Sequence, residues 1–197
     1  VEAEAPAVVV HCAAATQVDG CESERERAFA INADGSENVA RAAHGVGARL
    51  IAFSTDYVFS GEGSTPFTEE DPTEPKTVYG QSKLAGEAAI AKVAPNHLIA
   101  RISWLYGPGG PSFVHTMMRL GAQEGEALKV VDDQVGGPTS TLVVANVLRG
   151  LLKTDAKGLL HLTCAGEASW FELARATFEL QGLGREVIPC TSAEDPR

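Results

Sequence analysis

Two short motifs contain the residue types needed to protonate a carbonyl oxygen. Residues 54–57 (STDY) close an apolar run, and residues 79–83 (YGQSK) open a helical pattern. Tyr79 and Lys83 are four residues apart, so they share one face of a helix. A ketone accepts a hydride only when its oxygen is protonated or hydrogen-bonded as negative charge develops on it. The two motifs therefore predict a site for hydride transfer to a carbonyl.

Each residue type suggests a separate task. Tyr79 is the candidate proton donor, although the ordinary tyrosine pKa near 10 suits that task poorly. The ammonium group of Lys83 favours the phenolate, so we expect it to lower the pKa of Tyr79, and it could also hold a cofactor ribose. Thr55 ends a predicted parallel strand, and ligands bind outside the carboxyl ends of such strands. Its hydroxyl is therefore predicted to hold the substrate oxygen against Tyr79.

Each motif by itself is ordinary. A Tyr-x-x-x-Lys pair occurs by chance in many helices, and a threonine after an apolar run is common. Their order, spacing and placement at a strand end and the following helix start favour the joint catalytic interpretation.

The surrounding pattern alternates between strand and helix. Continuous apolar runs predict buried strands at 6–14, 49–54 and 97–102, and helical spacing of apolar residues predicts helices over about 22–43 and 78–93. Such alternation requires right-handed crossovers between parallel strands. The sequence predicts an α/β fold: a Rossmann-like, doubly wound parallel sheet with a smaller interleaved lobe.

Composition narrows the range of partners. The chain has 197 residues, 44% of them apolar, which is enough to bury a sizeable core. Its formal net charge of −10 repels phosphate backbones, so no nucleic acid partner is expected. No apolar run approaches the roughly 18 residues that cross a bilayer, so no membrane partner is expected. The four cysteines have no metal-binding spacing, and no metal site is predicted.

Five blocks over nearly the whole chain resemble the dTDP-4-dehydrorhamnose reductase family, extended short-chain dehydrogenases/reductases that act on sugar nucleotides. The blocks are 12–19 (CAAATQVD), 54–61 (STDYVFSG), 78–87 (VYGQSKLAGE), 101–107 (RISWLYG) and 130–140 (VVDDQVGGPTS). Together, the five blocks are specific to this family.

The resemblance implies a role for each matched residue. Tyr79 would donate the proton, Lys83 would bind the nicotinamide ribose, and both would contact the cofactor. Thr55 would tune the proton transfer and, with Asp56, contact the sugar. Trp104 would contact the substrate as well.

The resemblance also identifies a cofactor turn. Ala13, Ala14 and Ala15 match the turn that lies along the dinucleotide, although Ala15 replaces a bulkier residue expected there, which loosens that contact. Asn32 matches a position near the active site, and a structural hydrogen bond from a polar helix residue explains it nearly as well.

The implied reaction is reduction of the C4 ketone of dTDP-4-dehydro-β-L-rhamnose to dTDP-L-rhamnose by NADPH or NADH, in the synthesis of a cell-surface polysaccharide precursor. Hydride would go to C4, and Tyr79 would protonate the alkoxide. The expected location is the cytoplasm, and the expected partner is the dTDP-sugar. The oligomeric state stays open, with a homodimer among the expected assemblies. Some family members hold Mg²⁺ at a dimer contact, but no cluster in this sequence supports one.

The sequence contains no G-x-x-G-x-x-G motif, although family members open with a strand, a Gly-rich turn and a helix that bind the pyrophosphate. We therefore expect a chain truncated at both ends, with the N-terminal βαβ unit missing and weak or no dinucleotide binding. Because the segment that recognises the ribose is among the missing parts, the sequence predicts no preference for NAD or NADP. Residues 1–108 would be the remainder of the dinucleotide-binding domain and 109–138 with 165–197 an incomplete sugar-nucleotide lobe. Residues 139–164 would return to the sheet as a helix and strand.

Two other functions stay open. One is a non-catalytic binding protein, similar to the regulatory subunit of methionine adenosyltransferase, although Trp104 and residues 132–139 match the reductases better. The other is an epimerase or dehydratase of the same fold. A dehydratase would favour a second carboxylate after Thr55, but Asp56 is followed by Tyr57. Stoichiometric consumption of the nicotinamide, rather than its recycling, distinguishes the reductase from this second group.

Overall fold

The computed structural model describes residues 1–194, so residues 195–197 of the predicted lobe lie outside the described residues. The strands are β1 (Val8–His11), β2 (Arg49–Thr55), β3 (His97–Ile102), β4 (Leu105–Tyr106), β5 (Leu128–Val131), β6 (Val135–Gly136), β7 (Thr139–Ser140), β8 (Gly158–His161), β9 (Ala168–Ser169) and β10 (Val187–Cys190). The α-helices are α1 (Val18–Ser23), α2 (Arg25–Phe29), α3 (Gly35–Gly45), α4 (Val78–Val93), α5 (Phe113–Gly121), α6 (Thr141–Leu151) and α7 (Trp170–Gln181).

The chain divides into two compact units. The first contains residues 1–102 and 154–162, and the second contains residues 103–153 and those from 163 onward. This division differs from the predicted boundaries at α6, which belongs to the second unit, whereas β8 joins the first.

A four-stranded parallel sheet forms the centre of the first unit. Its strand order is β1-β2-β3-β8, and β2 pairs with β3 from Leu50 opposite His97 to Thr55 opposite Ile102. Parallel neighbours need crossover connections, which α3 and α4 provide between β1 and β2 and between β2 and β3. The predicted α/β fold with a Rossmann-like parallel sheet is thus confirmed.

Small side chains let the helices lie close to this sheet. Ala40 and Ala43 of α3 are fully buried against Leu50 of β2, in a cluster that also contains Ile90 of α4. Close packing of this kind supplies most of the stability of an amphipathic helix.

The first strand differs from its prediction. It covers Val8–His11 rather than residues 6–14, and it is not buried on both faces. Successive side chains of a strand point to opposite faces. Val9 packs against the core cluster, whereas Val10 is 41% exposed.

The helical region after β1 is also more broken than predicted. It contains α1, α2 and α3, with a π-helical turn at Ala30–Asp34 between α2 and α3. A π turn inserts one residue into the helical repeat and is often found at functional sites.

The second unit has its own core. Met117 of α5, Val130 of β5, and Ala174 and Phe178 of α7 form one buried cluster. The start of α7 has a reciprocal capping box: Ser169 Oγ accepts from the backbone of Glu172, whose carboxylate accepts from the backbone of Ser169. Over residues 1–194, no helix is both long and apolar enough to span a bilayer.

The contact between α4 and the π turn leads to a stability prediction. A Cβ on Gly86, in the middle of α4, would overlap the backbone oxygen of Asn32. We expect Gly86→Ala to lower the free energy of unfolding by about 1–3 kcal/mol through overpacking, despite the better helix propensity of alanine. Urea denaturation followed by circular dichroism measures this change.

Gly45→Ala is the matched control, because Gly45 is also helical and nothing lies within 4 Å of the position of its Cβ. We expect it to change the free energy of unfolding by less than about 0.5 kcal/mol. Equal effects of the two substitutions would contradict the close approach of α4.

Candidate active site

The strand end and the helix start that carry the two motifs lie against each other. Thr55 is the last residue of β2, and a 3₁₀ turn, Asp56–Val58, follows it directly. Tyr79 lies in the first turn of α4, which Thr77 caps by accepting a hydrogen bond from the backbone of Gly80 at 3.1 Å. A Cβ on Gly80 would overlap the backbone oxygen of Tyr57, so the glycine allows this approach. The structure therefore brings Thr55 and Tyr79 together, as predicted from their placement.

The hydroxyl of Thr55 is the centre of the local hydrogen bonds. It donates to Asp56 Oδ1 at 3.1 Å, accepts from the backbone of Tyr57 at 3.2 Å and interacts with the phenol of Tyr79. The ring of Tyr57 meets the ring of Tyr79 edge to face, with centroids 5.5 Å apart. These contacts fix the phenol at the carboxyl end of β2, where open α/β sheets bind ligands.

Burial raises the pKa of Tyr79 to about 12, because an apolar environment disfavours the charged phenolate. The hydrogen bond with Thr55 acts in the opposite direction, and the charge of Asp56 adds to the increase. The expectation that Lys83 lowers the pKa of Tyr79 is therefore wrong for this structure. The group remains a protonated acid at neutral pH.

The position of Lys83 explains the difference. Its Nζ donates to the backbone oxygen of Phe53 in β2 at 2.7 Å, so the ammonium group is directed at the strand. Burial lowers the pKa of Lys83, and the charge of Glu87 one turn later opposes that effect. The i+4 spacing places Tyr79 and Lys83 on one face, but it does not determine where the ammonium group points.

The alanine turn after β1 is held by a buried asparagine. Asn32, which is 1% exposed and lies in the π turn, accepts from the backbone nitrogen of Ala15 at 2.8 Å. Its amide nitrogen donates to the oxygen of Ala15 at 3.0 Å and to Ser82 Oγ at 2.9 Å. Asn32 therefore links the predicted cofactor turn to the residue before Lys83. The sequence left its role open, and its hydrogen bonds now favour a structural one.

A cavity of about 380 Å³ lies beside this turn. Its wall includes Ala14, Ala15, Thr16 and Gln17, together with residues of α1 and α2. Ala15 contributes only a small side chain to this wall. Ala13, at the start of the turn, is exposed.

Trp104 lies in the second unit, whereas the other predicted site residues lie in the first. Its φ of +45° is in the left-handed region, which is strained for a bulky residue. Its indole stacks on that of Trp170, with centroids 3.4 Å apart, and a Cβ on Gly136 would overlap it. Neighbours on two sides thus hold the indole in one orientation.

No metal cluster accompanies these residues. Within the described part of the chain, no three His, Cys, Asp or Glu side chains come together in a way that could hold a metal ion.

Comparison with known proteins identifies the family. A family model described as the RmlD substrate binding domain matches residues 1–197, and the chain belongs to this family. It is 48% identical over 194 residues to dTDP-4-dehydrorhamnose reductase of Streptomyces griseus, covering 95% of this chain but 64% of that protein. The chain thus spans less than two thirds of this relative.

Solved structures agree with this assignment. A dTDP-4-dehydrorhamnose reductase from Clostridium acetobutylicum superposes with a TM-score of 0.94 at 46% identity, over 98% of this chain and 68% of that one. A Bacillus anthracis reductase in complex with NADP gives 0.93 at 41% identity, over 96% and 68%. The resemblance drawn from the five sequence blocks is confirmed.

The burial of Tyr79 predicts that its phenol ionises only at high pH. In a titration followed by tyrosinate absorbance, we expect the difference between the protein and Tyr79→Phe to appear near pH 12 and not near pH 10. Since the folded pKa lies above the unfolded value of 10.0, Tyr79 stabilises the fold below pH 10, and this stability is lost as the pH rises to about 12. Thr55→Val should raise the pKa of Tyr79 further. Ionisation of Tyr79 at or below pH 10 would contradict burial as the dominant cause.

The bonds of Asn32 predict a large effect of its removal. Asn32→Ala deletes three hydrogen bonds and leaves the backbone of Ala15 without that partner, so we expect a loss of about 2–4 kcal/mol in the free energy of unfolding. Asn38→Ala, at an exposed site in α3, is the matched control and should change it by less than about 0.5 kcal/mol. Denaturation curves of both variants measure the difference, and similar curves would contradict the linking role.

Proposed function

We propose that this chain carries the catalytic residues of a nicotinamide-dependent reductase that converts dTDP-4-dehydro-β-L-rhamnose to dTDP-L-rhamnose. The observation that carries the proposal is the meeting of Thr55 and Tyr79 at the carboxyl end of β2, with Lys83 one turn later on the same helix. The relatives bearing the reductase name and the NADP complex of one of them support it.

The proton-transfer role of Tyr79 follows from its protonation state. Reduction of a ketone produces an alkoxide, which is a stronger base than a phenolate, so a tyrosine that keeps its proton until about pH 12 can still donate it. Thr55 places a hydroxyl at the same point, and on turning its one hydrogen from Asp56 Oδ1 to the substrate it would hold the substrate oxygen during the transfer. Asp56, hydrogen-bonded to Thr55, would accept from a sugar hydroxyl.

The residues around the alanine turn fit a nicotinamide cofactor. When bound, NADPH or NADH would supply the hydride. Lys83 Nζ has three N–H donors and gives one to Phe53, which leaves donors for ribose hydroxyls. Small side chains at Ala13, Ala14 and Ala15 would let a dinucleotide approach the backbone beside the 380 Å³ cavity.

The two units would bind different parts of the reacting system. We assign the first unit to dinucleotide binding and the second to sugar-nucleotide binding. Trp104 would contact the substrate there, and Trp170 and Gly136 hold its indole in one orientation. The proposal includes action in the cytoplasm; the oligomeric state stays open, with a homodimer among the candidate assemblies.

The test combines the chain with a characterised scaffold, because the chain spans only 64% of the Streptomyces griseus reductase. A chimera in which this chain replaces the matching segment should consume NADPH stoichiometrically with formation of dTDP-L-rhamnose. Tyr79→Phe in the chimera should lower kcat by about 10²–10⁴-fold through loss of the proton donor. A chimera that binds NADPH but recycles it, or only binds the dTDP-sugar, would overturn the proposal.

Lys83 and Lys92 provide a matched pair on α4, one buried and one exposed. Lys83→Met should raise KM for the cofactor and lower kcat, whereas Lys92→Met should leave both unchanged. Equal losses in the two variants would show that the helix, and not the ammonium group of Lys83, is responsible.

A further inference from the structure

A buried charged cluster lies next to the proposed catalytic lysine and has no role in the reaction proposed above. Glu87 follows Lys83 by one turn of α4, and Arg101 lies on β3. The exposed fractions of Lys83, Glu87 and Arg101 are 8%, 8% and 5%. Burying a charge is unfavourable unless it is paired and hydrogen-bonded, so each of these three groups needs a partner.

Arg101 fixes the carboxylate of Glu87. Its Nε donates to Oε1 at 2.9 Å and its Nη2 donates to Oε2 at 2.7 Å, which is the bidentate geometry typical of strong Arg–carboxylate pairs. The guanidinium also lies over the ring of Phe59, 5.0 Å from its centroid. The carboxylate therefore has one defined position.

Lys83 and Glu87 face the same small space. Both line a cavity of about 10 Å³, which also touches Phe53 and Ser54 of β2 and has room for nothing larger than about one water molecule. The charge of Glu87 acts on Lys83 and opposes the effect of burial on its pKa.

The charges around Lys83 are unbalanced. Arg101 and Lys83 are cations, and Glu87 is the one anion that acts on Lys83 within residues 1–194. From β1, His11 has a pKa lowered by burial and by the charge of Lys83, so it favours the neutral form. From α4 itself, Tyr79 stays protonated to about pH 12. Glu87 is thus ion-paired with Arg101, and its negative charge also acts on Lys83.

We propose that Glu87 is a positioning residue that divides its negative charge between Arg101 and Lys83, and so keeps Lys83 charged and directed at the carboxyl end of β2. The catalytic use of that charge rests on the proposed function, but the charge division itself does not. Glu87 would act only through Lys83.

Charge division has a consequence that a purely structural ion pair lacks. Glu87→Gln removes the negative charge that acts on Lys83, so the pKa of Lys83 should fall. Arg101→Gln removes the cation that pairs with Glu87. The negative charge of the carboxylate then acts on Lys83 alone, so the pKa of Lys83 should rise. Both substitutions break the same ion pair and both should destabilise the fold, but they should move this pKa in opposite directions.

The experiment is a pH titration of the full chain labelled with ¹³Cε-lysine and followed by NMR. The chain has six lysines, and the signal of Lys83 is identified by its loss in Lys83→Met. We expect Glu87→Gln to lower the pKa of Lys83 by at least about one unit and Arg101→Gln to raise it by a smaller amount. Glu37→Gln, which breaks the exposed pair with Arg41 on α3, should leave it unchanged.

A shift in the same direction in both variants, or no shift in either, would overturn the proposal. If Glu87→Gln does not fold, Arg101→Gln and Glu87→Asp decide the question, because only charge division predicts a rise in the first and a smaller fall in the second. The titration needs no turnover, so a chain without reductase activity still tests the role of Glu87. In an active chimera, the alkaline limit of kcat should move to lower pH in Glu87→Gln and to higher pH in Arg101→Gln.

Discussion

The close approach of α4 to the end of β2 is the constraint on which the site depends. Gly80 and Gly86 carry no Cβ, and in each case the added atom would overlap a backbone oxygen, that of Tyr57 or that of Asn32. These glycines lie in the same turns of α4 as the tyrosine and lysine of the site. The backbone contacts that place the helix therefore also place its reactive side chains, and a small displacement of α4 would separate the phenol from Thr55.

Burial shifts the pKa values of Tyr79 and Lys83 in opposite directions, and only one of these two residues needs compensation. It raises the pKa of the phenol and lowers the pKa of the ammonium group, so it favours the neutral form of each. A neutral Tyr79 is the acid that reduction of a ketone needs. A neutral Lys83 would lose its attraction for a ribose hydroxyl and for developing negative charge. The nearby carboxylate of Glu87 therefore supports the lysine, and the tyrosine needs no equivalent.

Much of the first unit could be predicted from local pattern. The helix at Val78–Val93 and the strand at His97–Ile102 have the predicted bounds, because continuous apolar runs and helical spacing mark them clearly. The π turn at Ala30–Asp34 could not be predicted, since its asparagine bonds to a turn distant in sequence. The direction of the pKa shift of Tyr79 depends on burial and on where a lysine side chain points. Neither is contained in residue spacing.

The buried ion pair between Arg101 and Glu87, in contrast, could be predicted from the sequence. Arg101 interrupts the apolar run 98–102 of a strand that is predicted to be buried, and a buried guanidinium requires an anion. Glu87 is the single acidic residue of α4, the helix that precedes this strand. Because Glu87 lies one turn after Lys83, an anion that satisfies the strand also acts on the lysine. The need to neutralise one charge in the sheet thus sets the electrostatic environment of another at the site.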